Sequence, residues 1–257
     1  MPRIVACLGI RQGVGATVRT VSLAWELAKS REVMLIDLDG AGGTVTEFLQ
    51  IREEDQGQRS ISNCLGLPQI PADALQEQAV RVLGRERLRV VPGVRAGCGP
   101  TMTEILPQIY KGLTELPDEL VLVDLGTPLA YPGQRSIQSV GTILNQAFPG
   151  MEDKICYLWD DPFTLSSQIA QLRLANLNAA QVVITSRYKK LTSEARRVLE
   201  METPDQVVKL AWPWAHDVSR QPFGAAAQAK VLGLDEGSTS ERPTRRGLSL
   251  RRSPKSI

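Results

Sequence analysis

Short apolar runs alternate with longer stretches of helical periodicity along most of the chain. The apolar runs lie at residues 4–9, 33–36, 88–92, 120–123, 155–159, 182–184 and 207–210. They are continuous rather than alternating, which is typical of strands buried on both faces of a parallel sheet. Helices are predicted at residues 18–29, 45–49, 103–116, 134–148, 163–177, 193–202 and 218–232. The alternation predicts a three-layer α/β/α fold with a mostly parallel sheet.

Two stretches depart from this pattern. Residues 61–83 contain only short helical candidates, with Asp73 as the predicted N-cap and Ala74, Leu75, Ala79 and Val82 as apolar positions. From Asp235 onward Ser, Thr, Pro, Gly and Arg dominate, and little remains to be buried. We therefore predict one α/β domain over residues 1–234, followed by a disordered basic tail over residues 235–257.

The charge of the chain is unevenly distributed. The net charge is +2, but residues 237–257 carry five Arg and one Lys against one Glu, a local +5 that leaves −3 for the rest. Such a tail could contact DNA or an anionic membrane surface, or only keep the protein in solution. Leu248 and Leu250 offer too small an apolar face for a strong membrane-targeting helix.

The cellular compartment is predicted from what the sequence lacks. No apolar run approaches the length of a membrane span, and no signal peptide is evident. The cysteines have no C-x-x-C spacing and are expected to be buried free thiols; they are Cys7, Cys64, Cys98 and Cys156. His216 is the only histidine, so a zinc site is not expected. A cytoplasmic protein is the prediction, with peripheral attachment to the membrane or nucleoid left open.

A glycine-rich loop at residues 9–17 separates the first strand from the first helix. Strand, glycine loop, helix and strand form the layout of a phosphate-binding unit, in which backbone N–H groups and the helix N-terminus attract an anion. A P-loop carries a lysine directly before its Thr, where it reaches the outer phosphates. Here Thr17 is preceded by Ala16. The sequence thus predicts a phosphate cradle without its usual cation.

Acidic residues follow several of the predicted strands. In parallel sheets ligands bind at the carboxyl ends of strands, where Asp37, Asp39 and Asp124 are expected. Asp124 has the form of a Walker B aspartate, and the Thr17 hydroxyl could ligate the same Mg²⁺. Asp37 or Asp39 could orient a water molecule or lie in the outer shell of the metal. The Asp160-Asp161 pair is predicted to cap a helix rather than to act chemically.

The order of these motifs resembles that of the ParA/MinD family of deviant-Walker ATPases. The family loop has the form K-G-G-V-G-K-T, and residues 11–17 read R-Q-G-V-G-A-T. The family's D-x-D-x-x-G motif matches residues 37–42, its Walker B strand matches residues 121–124, and its turn beside the base resembles residues 210–213. The resemblance covers roughly residues 3–232. A weaker one links residues 88–93 to the CpaE/TadZ-like branch, which positions pilus machinery.

The resemblance implies ATP and Mg²⁺ as cofactors and gives roles to individual residues. Thr17 and Asp124 would hold the metal, Asp39 would place the attacking water, and Arg11 would act across a dimer. The positions that would contact the nucleotide are Gly13, Val14, Gly15, Ala16, Thr17, Val18 and, beside the base, Pro213.

The chain also departs from the family. Arg11 and Ala16 stand where the family has two lysines, and arginine is not equivalent to lysine at such a site. Losing one lysine–phosphate bond costs ~1.5–3 kcal/mol, or about ten- to hundredfold in affinity. Hydrolysis should suffer more, because that charge stabilises the transferring phosphoryl group. Residues 185–187, Thr-Ser-Arg, replace the asparagine with which the family reads adenine.

These features predict a positioning or partitioning protein with a degenerate Walker A loop. It would act as a nucleotide-binding or pseudo-ATPase homodimer, or as a scaffold, together with protein partners of a positioning, secretion or pilus system. Two alternatives stay open: an active Mg-ATPase that uses Arg11, and a DNA-binding segregation protein that acts through its tail. Pilus, septum and DNA remain possible cargoes, because one fold serves many functions.

Overall fold

A computed structural model describes residues 1–40, 44–51, 54, 58–93, 102–129, 136–149, 154–177, 181–185, 192–202, 207–212 and 234. The strands of these residues are β1 (Arg3–Gly9), β2 (Val33–Asp37), β3 (Val80–Val82), β4 (Arg85–Val91), β5 (Leu120–Asp124), β6 (Lys154–Trp159), β7 (Gln181–Thr185) and β8 (Val207–Trp212). The helices are α1 (Ala16–Leu27), α2 (Thr44–Phe48), α3 (Ala72–Gln78), α4 (Met102–Thr114), α5 (Ile137–Ala147), α6 (Pro162–Leu174) and α7 (Ser193–Glu202), with a 3-10 helix at Ile61–Cys64.

The described strands form one sheet in the order β3-β4-β2-β5-β1-β6-β7-β8. All neighbouring pairs are parallel except β3 and β4, which are antiparallel. The central strands β5 and β2 are buried along their whole length, as continuous apolar runs require. This arrangement places the carboxyl ends of β1, β2 and β5 side by side in the middle of the sheet.

Two hydrophobic clusters lie on opposite faces of the sheet and define the three layers. The side chains of β1 point alternately to the two faces: Ala6 and Leu8 belong to the first cluster, and Val5 and Cys7 belong to the second. Helix α1 covers the second face, and α4 to α7 cover the first. The predicted three-layer α/β/α fold is therefore confirmed.

The region from residue 61 to residue 91 differs from the sequence prediction. Residues 80–82, expected within short helical segments, form β3, and β4 begins at Arg85 rather than at residue 88. Val80 and Val82 are buried while Arg81 is exposed, so this strand has the two-residue period of a half-buried strand. Asp73 is not an N-cap: α3 begins after Pro71, and the Asp73 carboxylate accepts a bond from the N–H of Ala74 instead.

Several smaller predictions can be checked against the described residues. Asp161 is the N-cap of α6, where its side chain accepts a bond from the N–H of Phe163. Cys7, Cys64 and Cys156 are free and buried, and burial raises the pKa of the Cys7 thiol to about 12. None of the helices in this part of the chain combines the length and apolarity needed to cross a bilayer. Cys98, His216, Pro213, the predicted helix at 218–232 and the tail lie outside the described residues.

Candidate functional site

The loop between β1 and α1 folds back over the end of its own strand. The N–H of Gly9 donates to the carbonyl of Gly126 (2.7 Å), and the N–H of Ile10 donates to the carbonyl of Tyr157 (3.1 Å). The Val14 side chain is only 1% exposed and belongs to the cluster beneath α1. A Cβ on Gly9 would lie 2.6 Å from a Val14 methyl, so this close return requires glycine. Val14 therefore anchors the loop, and its side chain is buried in the core.

The backbone of the loop is shaped for an anion. Gly13 and Gly15 have φ angles of 81° and 78°, which only glycine adopts without strain. Gly15 is the N-cap of α1 and supplies no side chain to the free N–H groups of the first turn. Apart from the two chain neighbours of Gly13, no atom of the described residues lies within 4 Å of a Cβ placed there, so the loop faces open space at this point. An anion could thus approach the N–H groups directly.

The residues that follow determine which charges this cradle offers. Ala16 is 5% exposed and packs into the cluster beneath α1, while Thr17 and Val18 are partly buried. Arg11, by contrast, lies on an exposed part of the loop. The structure therefore holds a methyl group at the position from which a P-loop lysine would extend.

Two aspartates lie side by side at the carboxyl ends of neighbouring strands. Asp37 of β2 is in register with Asp124 of β5, and both side chains are fully buried. One oxygen of each is bonded to a nearby backbone group: Asp37 accepts from the N–H of Asp39 (3.0 Å), and Asp124 accepts from the N–H of Gly126 (3.2 Å). The other oxygen of each, Oδ2, is buried without a partner among the described residues.

Two glycines, which the sequence did not single out, allow the carboxylates of Asp37 and Asp39 to lie directly against the backbone. A Cβ on Gly93 would lie 2.7 Å from the carboxyl carbon of Asp37. Gly126 has a φ angle of 58°, and a Cβ there would overlap the Asp39 carboxylate. The only available signal was that each glycine comes two residues after the end of a strand. Asp37, Asp39 and Asp124 are thus brought together as predicted, with glycine backbone as the wall of the site.

Burial controls the protonation of the two strand-end aspartates. The pKa of Asp37 is raised to about 7, chiefly because the carboxyl is buried. The nearby charge of Asp39 adds to the rise, and the N–H groups of Asp39 and Val45 oppose it. Burial also raises the pKa of Asp124 well above its ordinary value, and the charge of Asp37 adds to the effect. A hydroxyl bond from Thr17 opposes this rise. The Thr17 hydroxyl therefore lies close to the Asp124 carboxyl.

The donor set at this edge fits Mg²⁺ when phosphate completes it. Hydroxyl and carboxylate oxygens are the ligands that Mg²⁺ prefers, and the unpartnered Oδ2 atoms of Asp37 and Asp124 are buried acceptors that a cation would satisfy. No group of three or more His, Cys, Asp or Glu side chains in the described part of the chain is placed to hold a metal alone. Mg²⁺ commonly takes one or two protein ligands and completes its shell with waters and substrate phosphates.

The chain shares its fold with ATPases of the ParA/MinD type. A ParA family ATPase from Chlorobium tepidum TLS matches with a TM-score of 0.58 and 12% identity, over 90% of this chain and 91% of that one. A plasmid partition protein from Borrelia burgdorferi matches with 0.58 and 17%, over 90% and 99%. The septum site-determining protein MinD from Pyrococcus horikoshii OT3, complexed with Mg-ADP, matches with 0.54 and 15%, over 81% and 82%.

These likenesses confirm the fold on which the sequence resemblance rested. At identities of 17% or less they show the fold alone. Protein-family models give no match to the chain, and no curated protein matches it.

Proposed function

We propose that this protein binds a magnesium-complexed adenine nucleotide at the β1–α1 loop, hydrolyses it slowly or not at all, and acts as a positioning or partitioning factor. The observation that carries the proposal is the glycine loop at the start of α1, which has no side-chain cap. Thr17 lies near Asp124 beside this loop, and Ala16 stands at the lysine position. Nucleotides in the MinD neighbour are consistent with this chemistry.

Each element of the site has a definite task in this proposal. The backbone from Gly13 to Val18 binds the phosphates, and the partial positive charge of α1 favours their negative charge. Thr17 and Asp124 would hold Mg²⁺, which would neutralise phosphate charge. Asp39, held against Gly126, accepts a hydrogen bond from the water that would attack. Pro213, from outside the described residues, would lie beside the base.

Weak hydrolysis follows from the absence of a lysine directly before Thr17. Catalysis of phosphoryl transfer depends on cations that stabilise the charge spread over the transferring group. Ala16 supplies none. Arg11 is exposed and would have to act from the partner in a homodimer. If Arg11 does so, the protein is an active Mg-ATPase, and the Arg11→Ala variant should lose whatever turnover the wild type shows.

A protein that binds nucleotide without rapid turnover is suited to hold partners rather than to drive work. We infer that it acts as a dimer or scaffold with protein partners of a positioning, secretion or pilus system. The basic residues 237–257 offer a contact to DNA or to an anionic membrane. The cargo itself, whether pilus, septum or DNA, is not selected by the fold.

Titration calorimetry of the full chain with ATP and with ADP, each with and without Mg²⁺, tests the binding half. We expect Mg²⁺ to strengthen binding to the wild type, and the Thr17→Ala and Asp124→Asn variants to lose that gain. Thr142→Ala, a change on the exposed face of α5, is the matched control. Absence of any nucleotide binding would refute the proposal, and rapid steady-state phosphate release by the wild type would refute the claim of slow turnover.

A further inference from the structure

A cleft lies away from the glycine loop, between the residues that follow α2 (49–51) and the β3–β4 hairpin. Its volume is about 860 Å³. Its lining combines apolar and cationic side chains, including Leu49, Ile51, Leu83, Arg59, Arg81 and Arg89. The nucleotide site proposed above uses none of these residues, so the cleft requires a separate explanation.

One wall of the cleft is the edge of the sheet. Strand β3 is the last strand in the described sheet order and pairs only with β4 among the described strands. Residues 79–82 line the cleft, together with Glu86 and Arg89 of β4. An edge strand presents backbone N–H and C=O groups to which an extended peptide can add as a new strand. The cleft therefore offers backbone pairing as well as side-chain contacts.

The charge of the hairpin indicates what kind of peptide fits. Residues 80–91 contain four arginines and one glutamate. Arg89 is paired with the buried Asp118 (2.6 Å), and the Arg85 guanidinium lies 4.4 Å from the ring centre of Trp25. Arg81 is exposed on β3, in the wall of the cleft. The charged residues of the cleft lining are Arg59, Arg81, Arg89 and Glu86, so the lining carries a net charge of +2. This charge favours an acidic occupant and disfavours the chain's own tail, whose net charge over residues 237–257 is +5.

Apolar contacts are available on the other face of such a peptide. Leu49 and Ile51 pack against the same cluster as Val82, so they lie on the face of the sheet opposite to Arg81. At the tip of the hairpin, Leu83 is 91% exposed. Side chains of an extended peptide alternate between faces, so acidic and apolar residues in alternation would match both sides.

We propose that this cleft is the docking site for an extended acidic segment of a partner protein, which adds to the edge of β3. Its carboxylates pair with Arg81 on one face, and its alternate apolar side chains pack against Leu49 and Ile51 on the other. The inference concerns a partner surface and does not depend on whether nucleotide binds at the loop.

The test measures binding of a short fluorescein-labelled peptide in which Glu alternates with Val, by fluorescence anisotropy with the full chain. We expect saturable binding, and at least about tenfold weaker binding by the Arg81→Glu variant, because a charge-assisted bond is lost and repulsion replaces it. The matched control is Arg87→Glu, which makes the same charge change on the same hairpin outside the cleft lining and should bind like the wild type.

Backbone pairing is tested separately with N-methylated peptides. In an added strand every second N–H points to the sheet edge, so methylation of one alternate set should abolish binding and methylation of the other should be tolerated. Equal binding of both methylated peptides would overturn strand addition, and equal loss in the Arg81→Glu and Arg87→Glu variants would show mere charge attraction. Residues 53–55 of the chain are themselves acidic and lie in sequence between two residues of the cleft lining, Ile51 and Arg59. If the peptide binds only to a variant in which they are neutral (E53Q/E54Q/D55N), the chain's own acidic segment occupies the cleft and the proposal is wrong.

Discussion

Replacing Ala16 with lysine should restore the cation that the glycine loop lacks. Residue 16 is the first residue of α1, and helical side chains lean toward the N-terminus of their helix. A lysine there would extend toward the loop, where the surroundings of Gly13 are open. The change therefore adds an ammonium where phosphates are proposed to bind, without altering the backbone that forms the cradle.

The size of the effect follows from one charge-assisted bond. Such a bond contributes ~1.5–3 kcal/mol, so binding of Mg-ATP should strengthen by about ten- to hundredfold. Phosphate release should rise by a larger factor, because the ammonium also stabilises the transition state. Ala16 is nearly buried, so the longer side chain should cost ~1–3 kcal/mol of folding stability, which thermal unfolding will report.

Calorimetry and phosphate release on the Ala16→Lys and Ala16→Met variants together give the decisive comparison. Methionine has similar length and no charge, so it reproduces the packing cost alone. We expect tighter binding only with lysine. If both variants bind Mg-ATP as the wild type does, Ala16 does not face the phosphates, and the explanation of slow turnover by a missing cation is refuted.

Three further outcomes can be measured on the same protein. Gly126→Ala should destabilise the fold by ~1–3 kcal/mol, since its φ is positive and the new methyl would displace the Asp39 carboxylate; an unchanged unfolding midpoint would contradict this contact. Asp37→Asn should stabilise the nucleotide-free protein well above pH 7 and much less near pH 4. The pKa of Asp37 is raised from 3.8 to about 7, so the charged carboxyl lowers the free energy of unfolding as the pH rises between these two values, and asparagine removes that cost. A gain in stability that does not depend on pH would exclude titration of Asp37 as the cause. Deleting residues 237–257 should weaken DNA binding and flatten its salt dependence, and no change on deletion would remove the tail as a DNA contact.

The parallel core of the fold was predictable because its signals are local. Strand β1 and helix α1 lie within two residues of their predicted bounds, since a continuous apolar run and a glycine loop mark them directly. Strand β3 was not predictable in this way. It has three residues, fewer than one helical turn, and its pairing with β4 rather than its own pattern makes it a strand.

The candidate site shows the same division. The acids at the strand ends were predictable, because parallel strands bring their carboxyl ends to one edge. The roles of Gly93 and Gly126 were not, because each depends on which carboxylate a neighbouring strand places against it. The raised pKa of Asp37 likewise reflects burial from all sides, which no local pattern reports.

The α2 segment connects the two proposed sites physically. Near the start of α2, Val45 lies close enough to the Asp37 carboxyl to lower its pKa. Directly after α2, Leu49, whose N–H donates to the carbonyl of Val45, lines the cleft beside β3. A peptide that shifts Leu49 would therefore act on the acidic edge through one short helix. Coupling between binding sites is reciprocal, so Mg-ADP must change peptide affinity by the same factor as the peptide changes Mg-ADP affinity. Calorimetric titrations in both orders measure the two factors; if both equal one while each ligand binds, α2 transmits nothing and the cleft acts only as a tether.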